Sequence, residues 1–198
     1  MIEVTTVADD LVVIHDHHDV RRYEELRPAT EHFFDGVQAT TLPRPSGELL
    51  CRFATVNDVH FGEVECGKID DDPLGPIQRS QPGEPPYPDM MNAAACREIA
   101  TIDPIVVLVK GDLTAAGTDE EFAAFESCYR GAFGDRLHVV RGNHDAYLGQ
   151  DLYAGDQWIE LPGVCVALMD TTIPTKTTGA FEDSQIDWLD HHVAQSDR

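Results

Sequence analysis

Asp58-x-His60, Gly111-Asp112 and Gly142-Asn143-His144-Asp145 place carboxylates, imidazoles and an amide in three short clusters of a 198-residue sequence. Such mixed oxygen and nitrogen donors suit Mn, Fe or Zn, not a thiolate-bound ion. Each cluster alone is weak, because D-x-H recurs by chance and Gly-Asp is commonly a turn. Their order and context carry the signal: each closes a β-rich run. On an extended segment, alternation would set Asp58 and His60 on the same side. Gly111 lets the backbone turn sharply so that the Asp112 carboxylate crosses the strand ends, and Gly142 is expected to do the same for Asn143 and His144. Asp145 reads either as an acceptor orienting an imidazole or as a turn or cap aspartate. Asp170, after another β-rich run, reads as structural.

The elements that must hold these clusters alternate in type. Leu49–Val56, Ile105–Val109, Leu137–Val140 and Val164–Met169 read as strands. Pro88–Ile102 carries Met91, Ala94, Ala95 and Ile99 at helical spacing. Thr118–Phe133 opens with the capping box Thr118-x-x-Glu121 and sets Phe122, Phe125 and Cys128/Tyr129 on one face. A last helix starts near Ser184, with Ile186, Leu189 and Val193 inward. This alternation predicts an α/β fold with crossover connections, and sites in such sheets form at the carboxyl ends of the strands. Glu63–Tyr87, rich in Gly, Pro and Asp, is too long for a plain turn and reads as a functional lid or a mobile insertion.

Residues 1–48 form a separate β-rich appendage, with runs at Leu11–Ile14, His32–Phe34 and Val37–Thr41. The stretch from Tyr23 to Thr41 resembles the back end of a fibronectin-type module, and Pro43–Gly47 is a plausible linker. Residues 49–198 form the second domain. His15-Asp16-His17-His18-Asp19 is able to chelate a metal but reads as a polar hairpin loop. His32 and His138 read as ordinary β-segment residues, and His191-His192 as exposed helix histidines.

Acidic residues outnumber basic ones 36 to 14, for a formal net charge of -22. That balance opposes nucleic acid and anionic membranes as partners, which leaves a small-molecule substrate as the expected one. It reads mostly as a solvated surface, and an acidic site can also concentrate divalent cations. No apolar run approaches the roughly 18–20 residues that span a bilayer. The N-terminus lacks the basic and apolar regions of a signal peptide. The cysteines at 51, 66, 96, 128 and 165 are scattered, with no C-x-x-C pair. Cys51, Cys128 and Cys165 lie in apolar periodic segments and read as core residues of a cytoplasmic protein.

Asn57-Asp58-Val59-His60, Lys110-Gly111-Asp112-Leu113-Thr114 and Arg141-Gly142-Asn143-His144-Asp145 together resemble the calcineurin-like metallophosphoesterase family, especially its branch similar to bacterial class III cyclic-nucleotide phosphodiesterases. Gly117–Phe122, Leu168–Thr171 and Gln185–Leu189 extend the resemblance from about Leu49 to the C-terminus. It implies a metallophosphoesterase-type β-sandwich flanked by helices and hydrolysis of phosphate esters, diesters more than monoesters. It also implies two metal ions (manganese, iron or zinc), which activate water as the nucleophile and neutralise phosphoryl charge. By the same resemblance Asp58 and His60 bind the first ion, Asp112 bridges both, Asn143 binds the second, and His144 is the proton donor or charge stabiliser.

The family pattern continues with a strand ending in histidine and a Gly-His-x-His motif, and this sequence ends at Arg198 before either. The C-terminal part of the sandwich is therefore expected to be missing, the second ion weakly held, and sheet edges uncovered. A second reading is a truncated, non-catalytic fragment or a domain completed by a partner chain. Assembly as a homo-oligomer is left open.

Overall fold

A computed structural model describes residues 2–16, 19–34, 36–69 and 72–196. The chain divides into two compact units, residues 1–48 and 49–198.

In the first unit, β1 (Ile2–Val7), β2 (Val12–Asp16) and β3 (Asp19–Tyr23) form an antiparallel sheet in that order, and β4 (Glu31–Phe34) pairs with β5 (Val37–Thr40). Val12, Ile14 and Ala39 are buried together, with Tyr23 and Phe34 stacked against each other beside them. Asp16 pairs directly with Asp19 across the β2–β3 hairpin, while His17 and His18 lie outside the described residues.

The second unit is built on a parallel sheet of β6 (Phe53–Val56), β9 (Val106–Lys110) and β10 (Leu137–Val140), with β9 in the centre. Parallel neighbours need crossover connections. Helix α1 (Tyr87–Ile102) lies in the first of these. The second holds α2 (Asp119–Phe125), a π-helical turn (Glu126–Arg130) and the short α3 (Gly131–Phe133). Both sides of β9 are covered, as a central parallel strand requires. Val107 and Val109 pack with Phe125 and Tyr129 on the helix side, whereas Val106 and Leu108 pack with Ile159, Leu161 and Leu168 on the other. The latter three come from the antiparallel hairpin β11 (Gln157–Leu161) and β12 (Val164–Leu168). The unit is therefore layered helix, sheet and hairpin, an α/β arrangement consistent with the metallophosphoesterase-type fold.

Several sequence expectations change in detail. Only Phe53–Val56 of the first run is strand, and Leu49 and Leu50 are more than half exposed. Glu63–Tyr87 is no open loop: β7 (Glu65–Ile69) and β8 (Asp72–Arg79) pair within it as an antiparallel hairpin. The inward face of α1 is Pro88, Asn92, Cys96 and Ile99, while Met91 and Ala94 are exposed. The polar Asn92 tolerates burial because its amide nitrogen donates to the carbonyls of Val59 (2.8 Å) and Pro88 (2.9 Å) and its oxygen accepts from the Tyr129 hydroxyl (2.8 Å). The capping box at Thr118 and Glu121 is present, and Phe122, Phe125 and Tyr129 are buried. Helix α4 (Asp183–Gln195) leaves Ile186 and Val193 exposed and instead turns Trp188 and His192 onto Trp158 of β11. Of the cysteines, Cys96 is the buried one, whereas Cys51, Cys128 and Cys165 are half-buried. No described helix is long and apolar enough to cross a membrane.

Candidate metal centre

The loops that follow β6, β9 and β10 are laced together by their backbones. Asp58 N–H donates to the Gly111 carbonyl (3.2 Å), His60 N–H to that of Asp112 (3.0 Å), Phe61 N–H to that of Leu113 (2.9 Å), and Gly111 N–H to that of Val140 (2.9 Å). This pairing forces unusual backbone. Asp58, His60 and Asp112 have φ of 55°, 44° and 48°, a left-handed region that residues with a Cβ seldom occupy. The extended geometry expected for Asp58-x-His60 is therefore replaced by a twisted loop in which Val59, between them, is buried. Strained conformations of this kind persist where the surroundings over-determine them, and they concentrate at functional sites.

The two glycines work differently. Gly111 has φ of 83°, as the sharp turn needs. Gly142 is not left-handed, and its value is closeness: a Cβ there would lie 2.1 Å from Asp112 Oδ1 and 2.3 Å from Asp112 N. The carboxylate of Asp112 thus rests directly on the backbone of the third loop.

Around it the side chains converge. His60 Nε2 stands 3.7 Å from Asp112 Oδ2 and 3.9 Å from Asp58 Oδ1. Asp112 Oδ1 accepts from the His144 backbone N–H at 3.2 Å. The rings of His60 and His144 meet edge to face, 4.6 Å between centroids. His60, Asp112 and His144 each offer a ligand atom within 4.8 Å of the other two, all partly buried. Asp58, 59% exposed, adjoins this trio through His60 and also accepts from the Asn57 amide. Asn143 donates its amide nitrogen to the Tyr147 hydroxyl at 2.8 Å, which leaves Oδ1 for another partner. Asp58, Asp112 and Asn143 line one cleft of about 480 Å³, together with Lys110 and Arg141.

The donor set fits a cation. His60 Nδ1 is buried without a hydrogen-bond partner, and Nε2 lies beyond hydrogen-bond range of both carboxylates. Atoms that each stand about 2.0–2.2 Å from a shared ion are separated from one another by roughly 3–4 Å, the spacing found around Nε2.

Asp145 has a role that its neighbours in sequence do not reveal. Fully buried, its carboxylate accepts from Leu113 N–H (3.1 Å), Thr114 N–H (2.9 Å), the Thr114 hydroxyl (2.6 Å) and Gly142 N–H (2.7 Å). These contacts clamp the second loop to the third and involve no imidazole, which corrects the orienting role considered above. Asp170 accepts from Arg141 Nε (2.8 Å) and the Thr172 N–H (2.9 Å), a structural post beside the cleft. His192 is occupied with the Trp188 carbonyl and the two tryptophan rings.

No curated protein matches the sequence. The family model for calcineurin-like phosphoesterases matches residues 51–191, a span that contains all three laced loops. The chain belongs to the calcineurin-like phosphoesterase family.

Proposed function

We propose that the chain hydrolyses phosphate esters, diesters in preference to monoesters in the manner of cyclic-nucleotide phosphodiesterases, with two transition-metal ions (manganese, iron or zinc). The observation that carries this reading is the convergence of His60, Asp112 and His144 within 4.8 Å. Asp58 and His60 would hold the first ion, Asn143 Oδ1 the second, and Asp112 would serve both. When bound, the ions supply Lewis acidity and an activated water. Asp112 is fixed for its part by the His144 backbone N–H and by the Gly142 surface against which it packs.

His144 holds and delivers a proton. Its Nδ1 lies 2.7 Å from the Ala115 carbonyl oxygen, so that nitrogen is the donor and Nε2 is left for the reacting group. An imidazolium there donates to the departing alkoxide. The exposed Lys110 in the cleft favours the phosphoryl charge. A second reading, with His144 as a direct ligand, draws on its place in the trio, because a ligating histidine also gives its other N–H to a carbonyl. Residues 1–48 we read as a fibronectin-like appendage that stands outside the chemistry.

The experiment is a substrate screen with manganese, iron or zinc, in which bis(4-nitrophenyl) phosphate and 4-nitrophenyl phosphate are compared. Metal-dependent turnover that is faster on the diester supports the reading. Turnover unaffected by a chelator overturns it.

A further inference from the structure

We propose that the cavity between the Asn57–His60 loop and α1 receives an uncharged, ring-sized organic substituent of the ester, and that Met91 and Ala95 set its specificity. This proposal rests on the phosphoesterase reading above.

The cavity measures about 410 Å³, and Asp58 and His60 are among the residues that line it. Asp58 also lines the polar cleft, so an ester centred on the metal residues has space on two sides of different character. The cleft carries Lys110 and Arg141. The described residues that line the cavity include no lysine or arginine, and its carboxylates are those of Asp58 and Glu63. An anionic substituent is therefore repelled from the cavity, while phosphoryl charge is welcome in the cleft.

Much of its lining is apolar: Pro88, Met91 and Ala95 line it from α1, Val59 from the loop itself and Tyr129 from the π-helical turn. Polar side chains on its α1 side are already engaged: Asn92 is bonded to Val59, Pro88 and Tyr129. The Tyr87 hydroxyl donates to the Glu63 carboxylate. Burial and the bonds to Cys66 and Glu63 push the Tyr87 phenol up, so it stays a neutral donor. Away from the metal residues, where His60 Nδ1 is without a partner, a wall with its hydrogen bonds spent selects for shape and apolar contact. Met91 is 59% exposed although it lies beside the buried face of α1, and a thioether there adapts to a flat ring. The volume is near the lower end for ligand pockets, enough for one ring system.

The test uses two stable phosphonates, phenylphosphonate and methylphosphonate, titrated calorimetrically into the full chain with manganese present. The wild-type chain should bind the phenyl compound about tenfold more tightly, the factor expected when part of a ring leaves water. Met91→Glu and Ala95→Trp, both on the accessible side of α1, should bring the ratio near one without weakening methylphosphonate. Met91→Leu should keep it. A wild-type ratio near one, or a ratio unmoved by both Met91→Glu and Ala95→Trp, overturns the proposal alone. Failure of both phosphonates to bind overturns the phosphoesterase reading and the proposal with it.

Discussion

Nδ1 of His144 lies 2.7 Å from the carbonyl oxygen of Ala115, three residues beyond Asp112 on the neighbouring loop. A carbonyl only accepts, so the contact fixes the tautomer and ring orientation of His144 by means of the chain segment that also carries Asp112. The histidine and the carboxylate are set by one loop.

From this follows the first expected outcome. His144→Ala should lower kcat on a phosphodiester by about 10²–10⁴, the usual contribution of a general acid. Manganese content, measured by elemental analysis, should stay at the wild-type level. Loss of bound manganese in this variant would show that His144 is a ligand instead.

Asp145→Ala removes the acceptor for three backbone N–H groups and the Thr114 hydroxyl in a site closed to water. Unsatisfied buried donors cost about 1–3 kcal/mol each, so urea unfolding should report a loss of about 3 kcal/mol or more. A change within about 0.5 kcal/mol, typical of surface substitutions, would mean that the clamp is not structural.

Gly142→Ala should displace Asp112, because the added methyl meets Oδ1 at 2.1 Å and the backbone N at 2.3 Å. Manganese affinity should fall at least about tenfold, as when a ligand's support is lost. Gly36→Ala, where a Cβ meets nothing within 4 Å, serves as the control despite its own positive φ of 88°. Its effect should be confined to stability, with manganese affinity unchanged.

Burial, then the neighbouring Cys128 thiol, pushes Cys96 up to about 12 from an ordinary 9.0. A raised thiol is neutral in both states below pH 9, so its contribution to stability is fully present there. As pH climbs from 9 towards 12 the unfolded chain ionises first and that contribution is lost. The urea midpoint should therefore fall above pH 9, and Cys96→Ala should flatten the fall. An identical slope in the variant would assign the alkaline loss elsewhere.

The layered α/β plan was legible because β9 is a continuous apolar run and because capping and helical spacing mark Thr118–Phe133. The three loops that carry Asp58, Asp112 and Asn143 were legible because side-chain type and position after a strand are local properties. What stayed hidden was imposed from a distance. The left-handed backbone at Asp58 and His60 comes from pairing with residues 111 and 112, which no local pattern encodes. Asp145 finds its partners in Leu113 and Thr114, 32 and 31 residues away. Asn92 faces inward against hydrophobic periodicity because Val59 and Tyr129 supply its partners, and Met91 is displaced to the cavity side. The β7–β8 hairpin was obscured by prolines and glycines that read as loop.

Under the phosphoesterase reading the carboxylate of Asp112 organises metal binding between the three loops. Its most direct test is manganese titration of the wild-type chain and of Asp112→Ala, read by calorimetry and by the ion content after dialysis. The wild-type chain should retain manganese. Asp112→Ala should lose it and, at saturating metal, lose more phosphodiesterase activity than His144→Ala. Equal manganese binding by the wild-type chain and Asp112→Ala would contradict the account.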